Sequence, residues 1–269
     1  MLNGRPTRVS DTKTKKPVLV LLHGYLETLE VWESFLPFIE NDYRVISIDL
    51  PGHGMSVGLE NDFQIKDPVN SLELAAETIK AYLDMTNLQT VFIGGHSMGG
   101  YVAQCFAKLF PERVNGLILF HSSPYSDSDK KKMDREREIS LIQQQKLEIL
   151  VDLSIPLIFN PEHFTQFRDV ADALIGYASM HSPDGICACL RGMRDRASFE
   201  TFLSKTPIPT LCFFGLHDVH MPVERAQQIA QLSPRIQTVF LEQSGHAGFL
   251  EEPEIVASSL TRFISSLIQ

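Results

Sequence analysis

Apolar residues along the chain fall into short runs separated by stretches of helical period. PVLVLLH (17–23), RVISIDL (44–50), TVFIG (90–94), NGLILFH (115–121), IPTLCFFG (208–215) and IQTVFLE (236–242) are rich in β-branched and aromatic side chains, with few polar interruptions. Runs of this length and continuity read as strands buried on both faces. Between them lie helical patterns. Residues 30–40 set Val31, Phe35 and Phe38 on one face. Residues 71–85 set Leu72, Ala75, Ala76, Ile79 and Leu83 on one face, with Ser71 as a candidate cap. Residues 98–114 read as a helix stopped near Pro111, and 223–232 and 253–268 as two more. Strand–helix alternation predicts the α/β class: a mostly parallel sheet with helices on both faces and right-handed crossovers.

The alternation lapses between residues 122 and 204. A charged stretch, SDSDKKKMDREREIS, is followed by helical pieces around Gln143–Leu153 and Phe164–Met180, with no clear strand. The expected organisation is therefore a core made of residues 1–121 and 205–269, with a helical cap, 122–204, inserted between two sheet strands. An insertion leaving the carboxyl end of a parallel strand lies over the end of the sheet where such folds bind ligands. The lysines 130–132 with Arg135 and Arg137 read as a solvated face of that cap. Met133, Phe159, Phe164 and Phe167 are candidates either for an apolar pocket or for packing within it.

Composition narrows the field of partners. The 269 residues carry 24 basic and 33 acidic side chains, a net charge of −9, which argues against a nucleic-acid surface. No apolar run approaches the ~20 residues of a membrane helix. VLVLL near the N-terminus runs straight into His23-Gly24 and reads as a strand rather than the core of a signal peptide. The four cysteines (105, 187, 189 and 212) form no C-x-x-C pair and read as buried free thiols in a reducing compartment. Together these features describe a cytoplasmic protein with no membrane or nucleic-acid partner.

The chemistry centres on GGHSMGG, residues 94–100, where a strand becomes a helix. Gly95-x-Ser97-x-Gly99 in that context fits a nucleophile elbow, a strained turn that lifts the serine hydroxyl clear of the sheet. It also turns the N–H of Met98, at a helix N-terminus, towards an oxyanion formed at Ser97. A serine hydroxyl needs a base. His246, in QSGHAGFLEEPE after the last strand, has small neighbours that let it reach into a site. The base in turn needs an acid. Asp218, in FFGLHDVHMP, follows the strand ending at Gly215, while Asp127 and Asp129 are rivals after the strand ending near His121. The loop His23-Gly24-Tyr25-Leu26 offers the Tyr25 N–H as a second oxyanion donor. His121 and Ser122, at the end of a strand, are candidates to line the pocket. His217 and His220 read as bystanders, and Trp32 and His23 as packing residues.

LLHGYLET, DLPGHGMS, GGHSMGGYVA, FFGLHDVHMP and SGHAGFLEEPE, in that order, resemble the α/β-hydrolase superfamily in its capped, single-domain, esterase-like branch. The likeness runs from about residue 17 to the end, the cap excepted. It implies the α/β-hydrolase fold, with Ser97 as nucleophile, His246 as base, Asp218 as acid, and the amides of Tyr25 and Met98 as oxyanion hole. Asp49 and His53 would shape a turn. The implied activity is hydrolysis of a small to medium carboxylic ester, or a thioester, with no metal or organic cofactor required. Relatives also use these residues for carbon–carbon hydrolysis, for lyase reactions or to make peracids, and a non-catalytic receptor on the same fold is a further alternative. The family usually places two strands before the His-Gly strand. Only 16 residues precede Pro17 here, so at least one edge strand is expected to be missing.

Overall fold

Six of the seven strands run parallel, and their burial follows their position. In the computed structural model, which describes residues 1–56 and 71–268, β1 (Val9–Asp11), β2 (Val18–Leu22), β3 (Arg44–Ile48), β4 (Val91–His96), β5 (Val114–Phe120), β6 (Thr210–Gly215) and β7 (Ile236–Leu241) form one sheet ordered β1-β3-β2-β4-β5-β6-β7. Only β1 is antiparallel, pairing Val9 with Ile48. The N-terminal segment thus supplies a single three-residue edge strand, as its length allows. Every residue of β4 and β6 is buried, whereas edge strand β7 buries only its two ends. From β2 the chain steps outward to β3 and then returns to β4 and on through β7, so the strand order switches direction between β2 and β4; the carboxyl ends of these strands and of their neighbours carry the residues discussed below.

Helices α1 (Ser71–Met85) and α2 (Met98–Leu109) pack on each other, and α2 covers β2, β4 and β5. Five helices intervene between β5 and β6: α3 (Asp129–Gln143), α4 (Leu147–Ser154), α5 (Arg168–Ala178), α6 (Pro183–Asp195) and α7 (Glu200–Lys205). Helices α8 (Val223–Ala230), α9 (Gly248–Glu251) and α10 (Pro253–Ser265) complete the chain. Trp32 packs where the sequence reading put it, in an apolar cluster with its ring centroid 4.3 Å from that of Phe249 and 5.4 Å from that of Phe120.

Two local expectations are corrected. Residues 30–40 form not one helix but two short 3-10 turns, Leu29–Trp32 and Leu36–Phe38. Pro37 lacks an N–H, and its ring would collide with a carbonyl four residues back, so an α-helix cannot run through it. The charged run after residue 126 is not a solvated face throughout. It forms α3, capped by Ser128 Oγ accepting from the Lys131 N–H at 3.3 Å, and it buries Arg135, Ile139 and Ile142. These three lie on one face at i, i+4 and i+7. The surrounding charge hides that stripe from a reading of the sequence.

The inserted helices are joined to the rest of the fold by packing and by close backbone contacts. Helix α6 touches both α3 and α1. A Cβ on Gly185, in α6, would lie 2.6 Å from Cα of Gly52, in the loop after β3. Only two residues without side chains let these backbones meet.

Candidate active site

Ser97 sits between β4 and α2 with φ 49° and ψ −109°, a left-handed conformation unusual for a residue with a side chain. Its position is over-determined. The Ser97 N–H donates to the Phe120 carbonyl at 2.9 Å, and the Ser97 carbonyl accepts from the Gly100 N–H at 3.0 Å and from the Ser122 hydroxyl at 2.7 Å. Glycine is obligatory on both sides. A Cβ on Gly95 would lie 2.1 Å from the Gly99 carbonyl carbon, and one on Gly99 would lie 2.3 Å from the Leu22 carbonyl oxygen. The tight bend therefore requires the sequence pattern from which it was read.

Asp218 and His246 meet 28 positions apart in sequence. His246 Nδ1–H donates to Asp218 Oδ2 at 2.6 Å, which leaves Nε2 as the lone-pair nitrogen. Both His246 and Ser97 line one cavity. Asp218 Oδ1 accepts from the backbone N–H groups of His220 at 2.7 Å and Met221 at 2.9 Å. Burial alone would raise the Asp218 pKa, but the charge and hydrogen bonds of His246, with a further bond from His121, hold it well below the usual carboxylate range. Burial pushes His246 below the ordinary histidine value, partly offset by Asp218, so the ring is neutral at pH 7.

His121 takes a larger part than a pocket wall. Its Nε2 accepts from the Gly248 N–H at 3.1 Å, and its Nδ1 lies 3.2 Å from Asp218 Oδ2 and 3.3 Å from the Gly215 N. Asp218 Oδ2 thus faces two imidazoles. His121, Asp218 and His246 carry ligand atoms all within 4.8 Å of one another, close enough to hold a metal. His121 lines the cavity, whereas Ser122 turns its hydroxyl to the elbow. His220, read as a bystander, also lines the cavity, with its ring centroid 4.9 Å from that of His246.

Among the described residues, no backbone hydrogen bond engages the N–H of Tyr25 or of Met98. The Met98 N–H opens α2 and has no intrahelical acceptor. Leu26, next to Tyr25, has φ 62°, which tightens the turn after β2.

The sequence reading missed a buried ion pair beside the elbow. His96 Nδ1 lies 2.8 Å from Glu27 Oε1 and 2.9 Å from Oε2, while His96 Nε2 faces the His246 carbonyl at 2.8 Å. Both ring nitrogens meet acceptors, so the imidazole carries two protons and a charge. Burial disfavours that charge, but the Glu27 carboxylate outweighs burial and raises the pKa. Glu27 is held low in return, also against burial, by the His96 charge. Glu27 Oε2 also accepts the Gly24 N–H at 2.6 Å. One ion pair therefore ties the loop bearing Tyr25, the strand leading into Ser97 and the backbone of His246. The signal lay in LHGYLETLE, where an acid sits three residues after Gly24, but nothing in sequence spacing points it at His96.

The remaining candidates have structural places. His23 Nε2 accepts the Leu50 N–H at 2.8 Å, and Asp49 accepts from the N–H groups of Leu29 and Met55, shaping the turn as expected. The rival acid Asp127 is buried away from any histidine, between Arg135 Nε at 2.5 Å and Arg196 Nη1 at 2.7 Å. Asp129 begins α3. Phe159, Phe164 and Phe167 pack on one another, and Met133 is exposed. The apolar part of the cavity is instead lined by Ile155, Leu157, Ile158, Met193 and Met221. Its volume is about 250 Å³.

Comparison with known proteins agrees with this architecture. A family described as alpha/beta hydrolase fold matches residues 17–148. A pimeloyl-[acyl-carrier protein] methyl ester esterase of Photobacterium profundum is 27% identical, over 91% of this chain and 94% of its own length. The monoacylglycerol lipase ABHD6 of Bos taurus is 23% identical, over 94% of this chain and 76% of its own. The malate-bound structure of a thermophilic esterase from Thermogutta terrifontis superposes with a TM-score of 0.89 at 26% identity, covering 98% of this chain and 95% of the other. The chain has the α/β-hydrolase fold and resembles esterases of that superfamily over nearly its whole length.

Proposed function

We propose that the protein is a serine hydrolase that cleaves small to medium carboxylic esters through an acyl-enzyme on Ser97. The observation that carries this reading is the Asp218–His246 hydrogen bond of 2.6 Å, opening onto the cavity that the strained Ser97 also lines. The esterases and lipases among its relatives support it.

In this proposal His246 Nε2 takes the Ser97 proton as Oγ attacks the ester carbonyl. The negative charge on the carbonyl oxygen rests on the N–H groups of Tyr25 and Met98. His246, now charged and stabilised by Asp218, gives the proton to the departing alcohol. Water then enters, loses a proton to His246, and attacks the acyl carbon to release the acid and restore Ser97. The Ser97 hydroxyl makes no hydrogen bond among the described residues, and its link to His246 forms as substrate enters, since such bonds often tighten only in the complex. The Glu27–His96 pair holds the oxyanion loop and the base loop in register, and His121 fixes Asp218. The helices of residues 122–204 act as a cap that closes the cavity: the Ile158 carbonyl accepts the His246 N–H at 2.7 Å, so the cap also supports the base.

No described helix is long and apolar enough to cross a membrane. All four cysteines are buried and free, which fits the reducing cytoplasm in which we place the protein.

A panel of p-nitrophenyl esters of graded chain length tests the activity. Turnover should be rapid for short to medium acyl chains and absent in Ser97→Ala. Silence towards every ester from a protein whose Ser97 still reacts covalently would move the reading to a lyase or carbon–carbon hydrolase.

A further inference from the structure

The wall of the cavity has two unlike halves. One is apolar: Ile155, Leu157 and Ile158 on the short turn after α4, with Met193 from α6. The other is the face of α3 that carries Lys131, Arg135 and Glu138, spaced i, i+4 and i+7 so that they form one stripe. Charge on this stripe is unbalanced. Arg135 is 5% exposed and uses Nε to meet Asp127, a carboxylate it shares with Arg196, so the buried trio carries a net positive charge. Among the described residues, Nη1 and Nη2 of Arg135 have no hydrogen-bonding partner, and neither do they count among the sealed polar atoms of the interior. The ammonium of Lys131 makes no ion pair among the described residues, yet lies close enough to act on both Glu138 and His220.

The opposing groups are few. Glu138 is the one carboxyl of the stripe; it forms no ion pair with either cation among the described residues, and its Oε2 is buried without a partner. Burial pushes its pKa above the usual carboxylate range, against the pull of Arg135, Lys131 and a hydrogen bond from Tyr25. The Tyr25 hydroxyl, buried on the same wall, is turned to Glu138. Glu27 is balanced by His96, and Asp218 is engaged by His121, His246 and two backbone N–H groups.

Resting on the esterase reading, we propose that the cavity selects an ester bearing a second, ionised carboxylate: a half-ester of a short dicarboxylic acid, its free carboxylate on Lys131 and the Nη atoms of Arg135, its methylenes against the Ile155–Met193 wall, and its ester carbonyl at Ser97. A purely aliphatic ester leaves Lys131 and the Nη atoms of Arg135 without a partner in the cavity, and a purely polar one wastes the apolar wall. Size agrees. A 150 Å³ cavity takes benzene, so about 250 Å³ accommodates roughly ten heavy atoms. A five-carbon dicarboxylic half-ester is of that size.

Calorimetry on Ser97→Ala protein, which binds without turning over, separates this proposal from the activity. The probes are monomethyl glutarate and the uncharged methyl hexanoate. The half-ester should bind at least tenfold more tightly, consistent with a charge-assisted hydrogen bond. Adding Lys131→Met should shrink that ratio at least fivefold, and raising salt should shrink it further. Lys131 is exposed, so the variant keeps its fold; Lys132→Met, outside the cavity lining, is the control and should leave the ratio unchanged. Equal or weaker binding of the half-ester, or a ratio indifferent to Lys131→Met, overturns the proposal. Turnover of the same two esters by wild-type protein is read separately in a pH-stat. Its absence, with the binding preference intact, would refute the esterase reading and leave the anion site standing.

Discussion

Asp127 and Asp218 follow neighbouring strands, β5 and β6, at the same end of the sheet, and each is buried between two nitrogenous side chains. Asp127 lies between Arg135 and Arg196, and Asp218 between His121 and His246. Both carboxyls are held below the usual range against the opposing effect of burial. The difference lies in the partners. A guanidinium keeps its proton at every accessible pH, so Asp127 can only anchor the first turns of the inserted helices to the segment after α6. An imidazole has a proton to give and take near neutrality, so the same carboxylate beside His246 can support proton transfer. Charge and burial alone do not distinguish a lock from a catalyst; the titration range of the partner does.

The largest effect that sharpens this contrast is on turnover. Asp218→Asn should lower kcat for a good ester by on the order of 10⁴, as the loss of the triad acid does in serine proteases, with little change in KM. Asp127→Asn should leave kcat within tenfold. Steady-state kinetics on the two variants checks both; a loss below tenfold for Asp218→Asn would break the distinction.

Stability should respond in the opposite sense. Removing the Asp127 charge strands two buried arginines, which costs about 3–5 kcal/mol, and urea unfolding should show it as a lower midpoint. The result that breaks the comparison is a midpoint unchanged in Asp127→Asn.

The smallest effect is on pH dependence. His246 must be neutral to accept the Ser97 proton, and its pKa is lowered by burial. The free-enzyme value of kcat/KM should therefore be flat through neutrality and fall only as pH drops below the ordinary histidine value of about 6.5. A profile that falls on the alkaline side of that value would mean that His246 is not the base.

The two clusters also differ in how well sequence foretold them. Ser97, Asp218 and His246 each follow a strand and sit among glycines or other loop residues whose pattern is nearly forced by geometry. The elbow glycines have no room for a Cβ, so their necessity is written in the chain. Sheet and elbow were legible for the same reason: buried parallel strands require continuous apolar runs. Arg135 and Asp127 were not legible, because a buried charge and a solvated one look alike until the partner is placed. Glu27 and His96 lie 69 positions apart and join only once β2 and β4 pair side by side. Residues 30–40 misled because apolar spacing outweighed Pro37 in the reading, although proline decides the backbone.

The central claim is that Ser97 is a nucleophile activated by His246. Mass spectrometry of the folded protein after exposure to a fluorophosphonate tests it most directly. The account predicts one adduct, on Ser97, formed rapidly by the wild type and slowed at least a hundredfold in His246→Ala, within the range general-base assistance supplies. A folded protein that takes no adduct at Ser97, or one that reacts equally fast without His246, would contradict it.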